Sequence, residues 1–124
     1  MKKVLIIEDD QSFRLILSQM IAKAGLKSAT ANDGEEGIEF FRTGDYDLVI
    51  TDIIMPVMEG IETIIELRKL DPKVKIIAMS GGGQIDAEKY LSTALSLKVN
   101  KVLKKPFSYK ELLLAMALIE QEAG

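Results

Sequence analysis

The sequence predicts an α/β fold: five parallel strands in strict alternation with five helices that cover both faces of the sheet. Three observations predict it. Short apolar runs such as Val4–Ile7 and Leu48–Ile50 alternate along the chain with segments whose apolar residues recur every three or four positions. The runs are continuous rather than alternating in polarity, so both of their faces are buried, as in a parallel sheet between layers of crossover helices. No internal repeat, low-complexity tract or linker interrupts the pattern over 124 residues, which is one domain's worth of chain. A single domain over 1–124 with right-handed crossovers is therefore expected.

Each element has its own signal. Val4–Ile7 is short, apolar and partly β-branched, a buried strand. From Gln11 to Ala24, Phe13, Ile16, Leu17, Met20 and Ile21 form a helical stripe, and Gly25 stops it. Lys27–Ala31 is a weaker strand. Asn32-Asp33-Gly34 is a turn that opens a helix through about Arg42, with Ile38 and Phe41 directed inward. Asp47–Thr51 encloses the buried run Leu48-Val49-Ile50, and Met55-Pro56 breaks the pattern because proline has no N–H and fixes φ. Ile61–Leu70 is a helix with Ile61, Ile64, Ile65 and Leu67 on its inner side, ended by Asp71-Pro72. Val74–Met79 is the fourth strand, and Ser80–Gly83 a glycine-rich loop. A helix over Asp86–Leu97, a short strand over Val99–Leu103 and a last helix from Ser108 to about Gln121 follow. Ser108 and Glu111 form a capping-box pair.

Composition narrows the chemistry. The chain has no cysteine and no histidine. That excludes disulfides, thiol nucleophiles, thiolate or imidazole metal sites, a Ser-His-Asp hydrolase and a phosphohistidine within this chain. Its net charge of −3 gives no reason to expect direct nucleic-acid binding. No apolar run approaches the ~20 residues of a membrane span. The run after Met1-Lys2-Lys3 ends at Glu8, too soon for a signal peptide. A cytoplasmic protein without membrane contact is expected.

In open parallel sheets the working site lies beyond the carboxyl ends of the strands. Here the first strand ends at Glu8-Asp9-Asp10, the third at Thr51-Asp52, the fourth at Met79-Ser80 and the fifth at Lys104-Lys105-Pro106. If those strands are adjacent, one cleft holds several carboxylates, a hydroxyl and an ammonium. Crowded carboxylates raise one another's pKa unless a cation joins them. Mg2+, a hard ion with oxygen ligands, suits this set, and no histidine or cysteine is present to recruit a softer metal. Each residue also has a plainer role. The acids can cap the next helix, Asp52 and Ser80 can be turn residues, and Lys105 can be a solvated charge. For Asp10 the cap is the better assignment, and for Asp9 the strand-end position together with the separate Asp52 favours the metal.

Ile6-Ile7-Glu8-Asp9-Asp10, Thr51-Asp52-Ile53-Ile54-Met55-Pro56 with Gly60, Ala78-Met79-Ser80-Gly81 and Lys105-Pro106-Phe107 together resemble the receiver domain of bacterial two-component response regulators. The resemblance covers essentially the whole chain, in order. It implies a flavodoxin-like (βα)5 doubly wound sheet of order 2-1-3-4-5, for which a chemotaxis receiver is a known example. It implies that Asp52 is the phosphoacceptor. Mg2+ would be held by Glu8, Asp9, Asp52 and the backbone carbonyl of Ile54, with Asp9 a direct ligand and Glu8 acting through water. Ser80 and Lys105 would bind the phosphoryl group, and the bond before Pro106 would be cis. The implied donor is a phosphohistidine on a sensor histidine kinase or a histidine phosphotransfer protein. The implied output is a switched protein-interaction surface around the fourth helix, fifth strand and last helix, read by a downstream target or an output domain. Either a monomer or a phosphorylation-dependent homodimer fits, and no turnover of an external substrate is implied.

This chain departs from the family pattern in places. Three residues before the lysine, where receivers usually carry an aromatic ring, it has Val102, stiff at χ1, so the usual coupling of hydroxyl and ring is altered. The Ser80–Lys105 stretch is a few residues longer than usual. Lys98, Lys101 and Lys104 form a basic group, read as a solvated rim ahead of a docking patch for an acidic partner. Three rival functions are distinguishable. A flavin or nucleotide binder would want amides and positive charge after the first strand, where this chain has three acids. An aspartate-nucleophile phosphatase would carry a second aspartate two residues after the first, where this chain has Ile54. A receiver that acts only as a protein-binding module, without phosphorylation, keeps the fold. The intact set Glu8, Asp9, Asp52, Ser80 and Lys105 argues against it.

Overall fold

The strands line up in the order β2-β1-β3-β4-β5, every neighbouring pair parallel, as the resemblance implied. The computed structural model describes residues 1–53, 60–81, 92 and 96–123. Their elements are β1 (Lys3–Ile7), α1 (Gln11–Lys23), β2 (Lys27–Ala31), α2 (Gly34–Thr43), β3 (Leu48–Asp52), α3 (Gly60–Leu70), β4 (Lys75–Gly81), β5 (Lys101–Lys105) and α4 (Tyr109–Ala123). The helix predicted over 86–97 falls largely outside the described residues. Of its positions, Ser92 and Ser96 are helical, and the chain turns at Leu97-Lys98.

The continuous apolar runs do what their pattern requires. Val4, Leu5, Ile6 and Ile7 of β1 and Leu48, Val49 and Ile50 of β3 are all fully buried. Successive side chains point to opposite faces, so each strand feeds two cores. Leu5, Ile7, Val49, Ile76 and Ala78 pack with Ile38 of α2 and Ile64 and Leu67 of α3. Val4, Ile6, Leu48, Ile50, Ile77 and Met79 pack with Leu17 and Ile21 of α1 and Leu112, Met116 and Ile119 of α4. Each such side chain contributes about 1.5–3 kcal/mol by leaving water. Gly37 lets α2 approach β1 closely, since a Cβ there would lie 2.4 Å from the Ile7 side chain.

Side chains satisfy the helix starts. Asp10 caps α1 by accepting from the Phe13 N–H at 3.1 Å. Asp33 accepts from the Glu36 N–H at 2.8 Å, while Glu36 accepts from the Asn32 N–H at 3.0 Å. At the start of α4, Ser108 and Glu111 exchange the two bonds of a capping box, at 3.1 and 3.3 Å.

Three sequence expectations are corrected. Ile65, expected on the inner side of its helix, is 38% exposed on the outer side, and Ile16 of the α1 stripe is also exposed. Spacing alone does not decide which edge of a broad apolar stripe is covered. Ser80 and Gly81 belong to β4 rather than to a loop, because they pair with Lys104 and Lys105. The fifth strand runs over Lys101–Lys105 instead of Val99–Leu103. Lys98 has φ 63° and turns the chain, and Asn100 then exchanges bonds with Ile76, its N–H donating to the Ile76 carbonyl and its Oδ1 accepting from the Ile76 N–H, both at 2.8 Å. β5 is an edge strand, where lysines are tolerated and discourage stray pairing. An apolar run therefore located it two residues early.

One half-buried cation organises the opposite end of the sheet from the strand carboxyl ends. The Arg68 guanidinium donates to the carbonyls of Pro72 (3.3 Å), Val74 (2.5 Å), Leu97 (3.3 Å) and Lys98 (2.7 Å). Among the described residues, no helix is long and apolar enough to cross a membrane.

Candidate functional site

Three strand ends deliver charge to one place. Glu8 follows β1 directly, its N–H donating to the Ala31 carbonyl at 3.1 Å, and it is fully buried. Asp52 is the last residue of β3, opposite Met79 of β4, and is 6% exposed. Lys105 is the last residue of β5 and half-buried. Its ammonium donates to Asp52 Oδ2 at 2.6 Å and to Glu8 Oε1, and it lies 4.7 Å from the centroid of the Phe13 ring.

The local backbone is built to put Asp52 there. Ile53 N–H donates to the Met79 carbonyl, and Gly60 N–H donates to the Ile53 carbonyl, both at 2.9 Å. Gly60 sits so close that a Cβ would come within 2.0 Å of the Asp52 carbonyl oxygen and 2.4 Å of Ile53 Cα. Only glycine fits this approach of α3 to the strand end. On the other side, Arg14 Nη1 donates to the Glu8 carbonyl at 2.8 Å.

Burial is the main reason the Glu8 carboxyl is pushed up to about 7. Asp52 and Asp9 add to the rise and the Lys105 hydrogen bond opposes it. For Lys105 the strongest single influence is burial, which disfavours its charge. The hydrogen bonds to Asp52 and Glu8 together outweigh it and hold the ammonium above its usual range.

Glu8, Asp9 and Asp52 each offer a carboxylate oxygen within 4.8 Å of the others. Opposite ligands of Mg2+ lie roughly 4.2 Å apart, so the set fits an octahedral hard ion with little adjustment. With all groups ionised, three carboxylates and one ammonium leave two negative charges, which a divalent cation balances.

The other predicted positions fall around this cluster. Ser80 is 4% exposed in β4, directly after the residue opposite Asp52. The Lys105–Pro106 bond is cis. Val102 is half-buried against the α2–α3 side of the sheet. Lys104 is exposed, and Lys101 makes an ion pair with Glu122 at 3.5 Å. Ile54 lies outside the described residues. Two further residues reach the site, Phe13, predicted only as part of the helical stripe, and Arg14, which no motif marks. Their position one turn into α1 from the acid triplet was the signal available.

A sequence profile described as the response regulator receiver domain matches residues 4–117. The chain belongs to the response-regulator receiver family. Receiver domains are regulatory signalling domains of two-component systems, and they interact with sensor kinases and downstream targets. This one is 37% identical over 107 residues to chemotaxis protein CheY of Thermotoga maritima, covering 86% of this chain and 87% of that protein. It is 40% identical over 111 residues to the probable transcriptional regulator ycf27 of Guillardia theta, covering 90% of this chain but 42% of that longer protein. Among solved structures, a CheY-like receiver domain protein of Methanospirillum hungatei superposes with TM-score 0.87 at 26% identity, over 99% of this chain and 98% of the other. Response regulator TrrA of Thermotoga maritima, in complex with Mg2+ and BeF, gives TM-score 0.82 at 32% identity, over 94% and 97% of the two chains. The receiver fold and the acidic cluster at its strand ends thus coincide in this chain.

Proposed function

We propose that this receiver domain accepts a phosphoryl group on Asp52 in a Mg2+-dependent reaction and relays it as a change in a protein-binding surface. The observation that carries the reading is the 2.6 Å contact between Lys105 and a buried Asp52, beside two further carboxylates within metal-sharing distance. Glu8, Asp9, Asp52 and the carbonyl of Ile54 would hold the ion. Bound there, Mg2+ supplies charge neutralisation and orientation for phosphate oxygens.

Asp52 is the nucleophile. A carboxylate oxygen forms the bond to phosphorus while the phosphorus–nitrogen bond of a phosphohistidine breaks, and the electron pair leaves with the imidazole nitrogen, which takes up a proton. Lys105 donates to Asp52 Oδ2, and it can pass from that carboxylate to the incoming oxygens. Ser80, on the next strand, offers a hydroxyl to the same group. Glu8 keeps Lys105 directed inward. The donor is a sensor histidine kinase or a histidine phosphotransfer protein, because this chain has no histidine. The relation to the sensor kinase/phosphatase LuxN of Vibrio harveyi, 35% identical over 78 residues, supports that setting. Around β5 and α4, Leu114 is 61% exposed beside exposed Leu113 and Leu118, apolar surface of the kind that marks a protein contact.

Acetyl phosphate with Mg2+ is expected to raise the intact mass by one phosphoryl group, and Asp52→Ala to abolish the gain. Labelling that survives the substitution removes Asp52 from the chemistry. A wild-type protein that takes no label, even from a kinase, is a binding module only.

A further inference from the structure

We propose that Phe13 is a positioning residue for phosphoryl capture: its ring holds the Lys105 ammonium in place over Asp52. This rests on the phosphoacceptor reading above and adds to it a residue outside the polar set.

An ammonium has three N–H donors. Glu8 and Asp52 take two of those on Lys105. On the remaining side stands the Phe13 ring, its centroid 4.7 Å from Nζ, inside the ~6 Å within which a ring attracts a cation. The Lys105 side chain is only 19% exposed, so little water competes for that side.

The ring is itself held from two directions. The Phe13 N–H is bound by the Asp10 cap at 3.1 Å. Its ring meets Phe107 edge-on, 5.6 Å between centroids at 81°, and Phe107 is 6% exposed two residues beyond Lys105. The first turn of α1 and the end of β5 therefore meet through two aromatic rings and one ammonium.

The choice of partner suits a lysine that must change acceptors. A third carboxylate would trap the ammonium and deepen the negative charge of the cluster. Open water would let it swing away. A ring attracts the cation more weakly than a carboxylate does and offers no oxygen that competes with phosphate. When phosphoryl oxygens arrive, Lys105 can exchange Asp52 or Glu8 for them while the ring contact persists.

The test compares Phe13→Leu, which keeps apolar bulk, with Phe13→Tyr, which keeps the ring. In the metal-free protein, the Lys105 ε-methylene protons are expected upfield from ring current in wild type and F13Y, and at ordinary positions in F13L. With Mg2+, F13L is expected to bind beryllium fluoride and to react with acetyl phosphate about 3- to 10-fold less well, the span of a partly desolvated cation–π contact. F13Y is expected to stay near wild type, and affinity for Mg2+ alone to be unchanged in both. An F13L protein as competent as wild type, an F13Y protein as impaired as F13L, or a wild type without the upfield shift overturns the proposal. The shift is read on wild type and needs no variant to fold. A wild type that takes neither reagent overturns the phosphoacceptor reading itself. Normal wild-type uptake with an indifferent F13L overturns the role of Phe13 alone.

Discussion

Glu8 shows how far a single residue could be read. Its place after β1 marked it as acidic site material. The resemblance assigned it a water-mediated role at the metal, whereas the structure also gives it an ion pair with a lysine 97 residues away. No periodicity encodes a meeting of that kind. Its full burial, only partly offset by that pair, has a titration consequence. Because the folded Glu8 carboxyl titrates at about 7, above its ordinary 4.5, folding favours its protonated form. Its contribution to stability is complete below about pH 4.5 and fades as pH rises through about 7. Relative to Glu8→Gln, urea unfolding of the metal-free wild type is expected to lose on the order of 1 kcal/mol or more between those limits. A wild-type minus E8Q difference that stays flat across the window contradicts the assignment. Gly60 belongs to the same scale. It was read only as part of a motif, and its reason is the backbone it touches. Gly60→Ala is expected to lower stability by about 2 kcal/mol or more, since the obstructing atoms are main chain. The midpoint of urea unfolding checks it.

Helices and strands were legible where their signals were local. The capping residues Asp10, Asp33 and Ser108 stand where the sequence put the helix starts, and the buried runs of β1 and β3 needed no tertiary information. Ser108→Ala is expected to destabilise the protein by about 1 kcal/mol, because it orphans the Glu111 N–H. The shift is read as a lower denaturation midpoint, and no change would mean that water replaces the cap without loss. β5 was displaced because its identity is set by neighbours. Three of its five residues are lysine, it lies at the sheet edge beside β4, and its start is fixed by Asn100 hydrogen-bonding across to Ile76. Outer-face Ile65 misled for the opposite reason, since apolar residues at helical spacing carry no label saying which side is covered.

At the scale of the whole molecule, alternation alone led to a parallel sheet with helices on both faces. The order of the strands came from the motifs rather than from periodicity, because strand adjacency is a property of crossovers. Arg68 carries no sequence signal: among the described residues its acceptors are main-chain carbonyls, which leave no side-chain pattern to find. Yet Pro72 and Val74 lead into β4, and Leu97 and Lys98 lead towards β5. One guanidinium therefore serves as the common datum from which both strands are measured. A strand of five to seven residues carries that reference roughly 20 Å to the hydroxyl of Ser80 and the ammonium of Lys105. A slip at the datum travels the length of both strands and reappears as an offset between those two groups. The acids on β1 and β3 are referenced elsewhere and keep their spacing. Arg68→Lys, which cannot fork to four carbonyls, is thus expected to slow phosphoryl uptake several-fold while divalent-cation affinity holds. Mass spectrometry and calorimetry on the same sample separate the two, and a loss of both together would show that the foot of the sheet does not gauge its two halves independently.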